Sequence, residues 1–309
     1  MIHQIGFISD GQVYQELKSY AQNTSLNPIG FASISDFEKQ GNLDNKLLRD
    51  FANRVDAVVI AQVSELSTAI ICELIKQGKH ILFLENMVDI LDSLKDIPKL
   101  LIESRSILQF ANMERNKPLF TSVRQLIKEP KYIKIERWSK QKNNLQSLLL
   151  HDIDMVLHCF QAAIKSVNCQ AKAIFTNQID MIMLSIEFNN GANADIVLHS
   201  SANMENAHAL FVDNKRYYKV DFSENKIIEV HNDASNQLSL ITADNTSVNL
   251  IEHSRKVMQF DALKKEFQNF DENITFGFTP LANIDDAQKI AFVFQKANEI
   301  MHRNCTNWV

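Results

Sequence analysis

Cysteine is scarce in this chain. Four cysteines occur in 309 residues, Cys72, Cys159, Cys169 and Cys305, with no short paired spacing, so a disulfide framework is not what organises the fold. They read as reduced and mostly structural. Long apolar runs are missing too: the longest, Val55 to Val63 and Ser147 to Phe160, are interrupted by Asp56, Gln62 and the cluster at 151–154, which excludes a membrane-spanning helix as a reading. Nor is there a basic excess. Thirty-two basic and 37 acidic residues leave a formal charge of −5, which provides no electrostatic footprint for nucleic acid. The opening Met1-Ile2-His3-Gln4 enters an apolar strand at once and lacks the charged and apolar regions of a signal peptide, so a cytoplasmic protein is expected. No internal repeat or low-complexity segment stands out.

What is present is a large core-forming fraction. With 45% hydrophobic residues, the chain exceeds the usual span of one domain, and two are expected. Through the first 130 or so residues, apolar runs at 2–8, 29–34, 56–61, 80–84 and 106–110 alternate with helical spacing at 11–22, 43–54, 65–77, 87–101 and 113–128. That alternation implies parallel strands joined by right-handed crossovers, a doubly wound α/β sheet. A helix is expected over 148–165. From Ala171 onward short alternating runs follow, with Ile182, Leu184, Ile186 and Phe188 on one face, the turn Asn189-Asn190-Gly191, then Ala194, Ile196 and Leu198. This is the pattern of an antiparallel meander, continued through runs at 208–212, 216–222 and 226–231. Helices at 249–268 and 283–303 close the chain. The division falls as 1–130 and 131–309, with the final helix able to pack back on the first domain. The basic cluster Lys128 to Lys142, interleaved with Tyr132, Ile133, Ile135 and Trp138, reads as a solvated edge or a linker.

In open parallel sheets ligands sit at the carboxyl ends of the strands. The run Lys79 to Met87, a buried strand ending in Leu84, Glu85 and Asn86, therefore points its tip at whatever is bound. On the second stretch, His151, Asp154 and His158 share one helix face by their spacing, suited to a metal, to base chemistry or to a structural hydrogen bond. No metal site is assigned to it.

The order of elements and several motifs resemble the glucose-fructose oxidoreductase and inositol dehydrogenase (Gfo/Idh/MocA) family, over essentially the whole chain, as a divergent member. Val55-Asp56-Ala57-Val58-Val59-Ile60-Ala61 is similar to its third strand, and Gly78-Lys79-His80-Ile81-Leu82 to its Gly-Lys-His-Val-Leu run. His151-Asp152-Ile153-Asp154 is similar to the His-x-x-Asp helix start of its second domain. Phe188-Asn189-Asn190-Gly191-Ala192 falls at its hairpin, and Asp285-Asp286-Ala287 opens a closing helix like its own. The resemblance implies a Rossmann-like first domain and an α+β second domain with a large, mainly antiparallel sheet. It also implies NAD or NADP as cofactor, hydride transfer on a sugar or polyol derivative, and a homodimer or homotetramer formed through that sheet.

The residues for that chemistry are altered. A diphosphate turn needs glycines for a tight bend and close backbone approach. The aligned turn is Ser9-Asp10-Gly11-Gln12-Val13-Tyr14, in which Asp10 opposes a diphosphate and Gly6 and Gly11 also suit an ordinary strand-to-helix turn. Ser33 aligns with the ribose-binding position, with Asp36 and Lys39 nearby, leaving NAD and NADP both open. The nicotinamide would lie along the loops at 61–67, with Gln62, and 84–87. There the family's Glu-Lys-Pro is matched by Leu84-Glu85-Asn86, and no lysine is present. Four residues before His151 stands Ser147 rather than an orienting carboxylate. Three readings stay open: an NAD(P)-dependent oxidoreductase using His151, a non-catalytic homologue binding a small metabolite or partner subunit, and a lyase or epimerase with Glu85 as base and His151 as acid.

Overall fold

The computed structural model describes residues 2–85, 90, 94–140, 145–174, 177–200, 205–214, 216–224, 226–231, 251–253 and 261–305. It forms two compact units, one of residues 1–116 and 261–291, the other of 117–260 and 292–309.

In chain order the first unit contains β1 (His3–Ile8), α1 (Gly11–Ala21), β2 (Leu26–Ala32), a 3-10 turn (Ile34–Phe37), and the small hairpin β3 (Glu38–Lys39) and β4 (Asn42–Leu43). Next come α2 (Asn45–Ala52), β5 (Ala57–Ile60), α3 (Ser67–Lys76), β6 (His80–Phe83), α4 (Ile97–Ser104), β7 (Leu108–Phe110) and α5 (Met113–Asn116). Five parallel strands lie in the order β2-β1-β5-β6-β7, so the doubly wound sheet expected from the alternation is present. β5 is buried at every residue, as a strand covered by helices on both faces must be, and its side chains are continuously apolar for that reason. Gly78 ends α3 with φ +72°, a left-handed stop that glycine adopts without strain, while the amide of Lys79 returns to the carbonyl of Leu74. The Gly-Lys-His motif has structural work here: Lys79 Nζ donates to the carbonyl of Val55 at 2.9 Å, and His80 Nδ1 accepts from the amide of Ile107 at 3.1 Å. Burial pushes the His80 pKa down, which keeps that nitrogen an acceptor.

The second unit begins with α6 (Pro118–Leu126) and β8 (Tyr132–Ser139), followed by α7 (Leu145–Cys159), β9 (Ile164–Lys172), β10 (Met181–Phe188) and β11 (Asn193–Ser200). Then come β12 (Asn206–Val212), β13 (Arg216–Asp221), β14 (Lys226–His231) and β15 (Ile251–His253); α8 (Ala262–Phe276) belongs to the first unit, and α9 (Ile284–Cys305) has residues in both. The eight-stranded sheet runs β15-β14-β13-β12-β8-β11-β10-β9, antiparallel except where β8 meets β11. The hairpin at Asn189-Asn190-Gly191 turns where expected, with Gly191 at φ +79°.

Four expectations are corrected. The single helix over 113–128 is two, because Pro118 forces Lys117 to ψ 131° and breaks the helix before it. The helix expected over 148–165 runs from Leu145 to Cys159, and Ile164 already lies in β9. Within 249–268, Ile251–His253 pair as an edge strand and the helix starts at Ala262, where Asp261 caps it through the amide of Lys264. Within the basic stretch Lys128 to Lys142, read as a solvated edge or linker, Tyr132–Ser139 form β8, an interior strand between β12 and β11. Its Ile133 and Ile135 are fully buried and Lys134 between them lies on the other face with Tyr132 and Glu136, a period that fits a half-covered strand.

The apolar set Ile182, Leu184, Ile186, Phe188, Ala194, Ile196 and Leu198 is at most 2% exposed. α7 packs on β8 and β11 on that side, so the cover lies within the unit itself. The opposite phase of the strands, with Tyr132, Glu136, Asp195 and His199, is only half-buried.

Candidate functional site

Six of the candidate cofactor positions sit at or just beyond the carboxyl ends of four neighbouring strands. Ser9 and Asp10 follow β1 and precede Gly11, the first residue of α1; Ser33 follows β2, Gln62 follows β5 and Leu84 follows β6. The main chain ties these ends together: the amide of Ser9 donates to Ala32 O, Ala61 N to Ile8 O and Leu84 N to Ile60 O, each at 2.9–3.0 Å. Since β2 lies on one side of β1 and β5 on the other, the crevice falls where the winding reverses, the place such sheets bind ligands. Glu85 follows Leu84 there and is partly exposed. Asn86 lies outside the described residues.

The side chains at these ends bond mainly to one another. Ser9 is fully buried and its Oγ donates to Asp10 O at 3.0 Å. Asp10 is the N-cap of α1: its Oδ1 accepts from the amide of Val13 at 2.8 Å. Tyr14, next along α1, is 7% exposed, edge-on to Phe7 at 5.3 Å and stacked on Phe31 of β2 at 4.9 Å. A Cβ on Gly11 would lie 3.3 Å from the Phe31 ring. At the end of β2, Gln62 Oε1 accepts from Ser33 Oγ at 3.3 Å and from Ile34 N at 3.1 Å, and Asp36 accepts from Ser33 N at 2.7 Å.

A dinucleotide needs free helix-terminal N–H groups for its diphosphate and open space over the turn glycine. Here the Val13 N–H is already bonded to a carboxylate and the space over Gly11 holds an aromatic ring. The residues of this turn do not fit the group.

Gly6, also a cofactor candidate, has a packing role. It lies inside β1, and a Cβ there would meet Phe51 Cζ at 2.6 Å and Val55 Cγ1 at 2.9 Å, so glycine is required by the packing of α2 on the sheet. Gly6→Ala is expected to cost about 1–3 kcal/mol through overpacking, visible as a lower denaturation midpoint with unchanged slope; an unaltered midpoint would refute the packing role.

In the second unit His151 stands exposed on α7. Asp154 is 2% exposed, and the His158 ring is tilted against Phe120 at 6.0 Å, a packing environment. The residue that sequence reasoning missed is Asp152. It is fully buried, and its two carboxylate oxygens share the N–H of Arg137 Nε, at 2.7 and 2.8 Å. The signal was available: Arg137 falls in the buried phase of β8, two residues after Ile135, where a charge requires a partner. On the half-open face, Trp138 and His199 stack at 3.9 Å, nearly parallel, and burial pushes the His199 pKa down. Among the described residues no group of three or more His, Cys, Asp or Glu could hold a metal ion, and no helix is long and apolar enough to cross a membrane.

No protein-family profile and no curated protein matches the sequence. Solved structures do. UDP-N-acetylglucosamine 3-dehydrogenase GnnA from Acidithiobacillus ferrooxidans is 18% identical, with 98% of each chain covered and a TM-score of 0.79. A dehydrogenase from Chromobacterium violaceum is 12% identical, covering 99% of this chain and 97% of its own at a TM-score of 0.78. An oxidoreductase from Agrobacterium radiobacter, solved with NAD+, L-tartaric acid and magnesium, is 10% identical over 98% and 97% at a TM-score of 0.74. This chain therefore shares the fold of these proteins, a Rossmann-like parallel sheet followed by a large, mostly antiparallel one.

Proposed function

We propose that this protein binds a sugar or polyol derivative, of the sugar-nucleotide class, on an oxidoreductase scaffold, and that it serves as a ligand-binding homologue rather than a hydride-transfer enzyme. The observation that carries the reading is the charge at the carboxyl end of β6. Moving a hydride to or from a carbinol builds or discharges an alkoxide, which a nearby cation stabilises and a carboxylate opposes. That strand end carries Leu84 and Glu85, with Asn86 and Met87 next in sequence and no lysine among them. Binding needs no such cation. The ligand class is suggested by the whole-chain likeness to a UDP-N-acetylglucosamine dehydrogenase. Self-association through the half-exposed face of the large sheet, and a cytoplasmic location, belong to the same proposal.

Titration with UDP-N-acetylglucosamine and with free sugars, followed by calorimetry and thermal shift, tests it. Saturable binding with a raised melting temperature is expected, without change in nicotinamide absorbance when NAD(P) is added. A second reading, a working oxidoreductase using His151, is favoured by the neighbours' shared chemistry. Substrate-dependent reduction of NAD(P), abolished by His151→Asn, would establish it and remove the first.

A further inference from the structure

We infer that the first unit has exchanged the diphosphate of a dinucleotide for a carboxylate of its own, with Asp10 filling the anion position at the start of α1 and Phe31 covering it. A helix N-terminus exposes unsatisfied N–H groups and a positive partial charge, which draw an anion. Asp10 supplies one within the chain: its Oδ1 lies 2.8 Å from Val13 N, with extended backbone (φ −73°, ψ 167°) that lets the side chain reach back. The place is the one a phosphate would take, directly after β1 at the reversal of the winding.

Phe31 is the independent observation. Its Cζ is 3.3 Å from where a Cβ on Gly11 would be, so the face of the turn that glycine would leave open to a phosphate is occupied. The ring is held there by Tyr14, stacked at 4.9 Å, which is itself held edge-on by Phe7. Tyr14 is 7% exposed and Phe31 46%, so the covering ring sits at the rim of the core, open to solvent on one side and backed on the other by a buried tyrosine. At the neighbouring strand end, Ser33 N is taken by Asp36, and Ser33 Oγ and Ile34 N by Gln62, so the polar groups that would greet a ribose are also engaged internally. A dinucleotide would have to displace the Asp10 carboxylate, place two like charges beside it and move Phe31.

The inference stands independently of the metabolite reading, which sugar nucleotides test. Here the probes are NADH and NADPH, titrated by nicotinamide fluorescence and thermal shift against the full chain, Asp10→Gly, Phe31→Ala and the double variant. Glycine at an N-cap costs little, so Asp10→Gly removes the carboxylate and frees the Val13 N–H with little loss of stability. The native chain is expected to show no saturable binding up to about a millimolar, and the double variant to gain binding at least about tenfold tighter as the like-charge repulsion and the ring are removed. Saturable binding by the native chain overturns the inference. So does a double variant, folded by circular dichroism, that ignores both dinucleotides as the native chain does.

Discussion

Asp152→Ala is expected to lower the stability of the second unit by about 3–5 kcal/mol, because it leaves the Arg137 guanidinium buried without its counter-charge. Arg137 is 15% exposed at its side chain and Asp152 not at all. The guanidinium also lies 5.4 Å from the centre of the Phe222 ring, so the pair pins α7 to β8 and helps fix the strand beneath it. For a unit of this size the loss corresponds to a fall in melting temperature on the order of 10 °C. Asp152→Asn, which keeps an acceptor, should lose about half as much. Replacing both partners with apolar residues, Arg137→Met with Asp152→Leu, should recover most of the loss, since removing a buried pair together avoids the orphaned charge. If the single and double variants melt alike, the pair does not act as argued.

Glu266→Ala should have an effect of similar size in the first unit, about 2–5 kcal/mol, for a different reason: it abandons several buried donors at once. Glu266 is 3% exposed. Its carboxylate accepts from Gln109 Nε2 at 2.8 Å, Asn112 N at 2.8 Å and Asn116 Nδ2 at 2.7 Å. Those donors lie on β7 and around α5, so a side chain of α8 gathers the last strand and the helix that follows it. Arg115, beside them, is engaged by Asp286 at 2.9 Å.

The pH dependence has a definite sign. Desolvation by burial is the largest influence on Glu266 and pushes its pKa up, against the lowering by its three hydrogen bonds and Arg115. An acid whose folded pKa is raised holds its proton longer when folded, so between the ordinary glutamate value, about 4.3, and the raised one the folded state binds more protons. Stability contributed by this group therefore declines as pH rises through that window and is level below it. Glu266→Gln removes the titration, so its denaturation midpoint should fall less than the native chain's as pH rises above that lower bound. A parallel pair of pH profiles would show that Glu266 does not titrate there. The glutamine variant itself should be milder than alanine, losing chiefly the bond from Gln109, whose other amide atom is already fixed by Asn273 at 2.9 Å.

Local pattern made much of this fold legible. The continuous apolar run Ala57–Ile60 reads as a strand buried on both faces because that is the only environment that accepts four such side chains in succession. The alternation in Met181–Phe188 and Asn193–Ser200 gives a one-sided sheet, and Gly78 and Gly191 mark a helix stop and a hairpin because their backbone conformations disfavour other residues. Ser9, Ser33, Gln62 and Leu84 were candidates through the family resemblance; that they share one edge follows from the parallel sheet, which carries all its carboxyl ends on one side.

Other features depended on partners distant in sequence. The residues 249–268 have helical apolar spacing, yet Ile251–His253 extend because β14 offers a free edge that spacing cannot register. Tyr132–Ser139 looked like an exposed basic stretch until β11 and β12 flanked it. Asp152, beside the more conspicuous His151, acquired its importance only through Arg137, fifteen residues away and on another element. At the turn after β1, the sequence by itself determined that the glycines were too few and that an acidic residue stood among them, because composition at a known strand-to-helix junction is local information. The cap that Asp10 places on Val13 is likewise a local contact, three residues along the chain; what only the tertiary structure decided is the ring over Gly11, because Phe31 comes alongside through the pairing of β2 with β1.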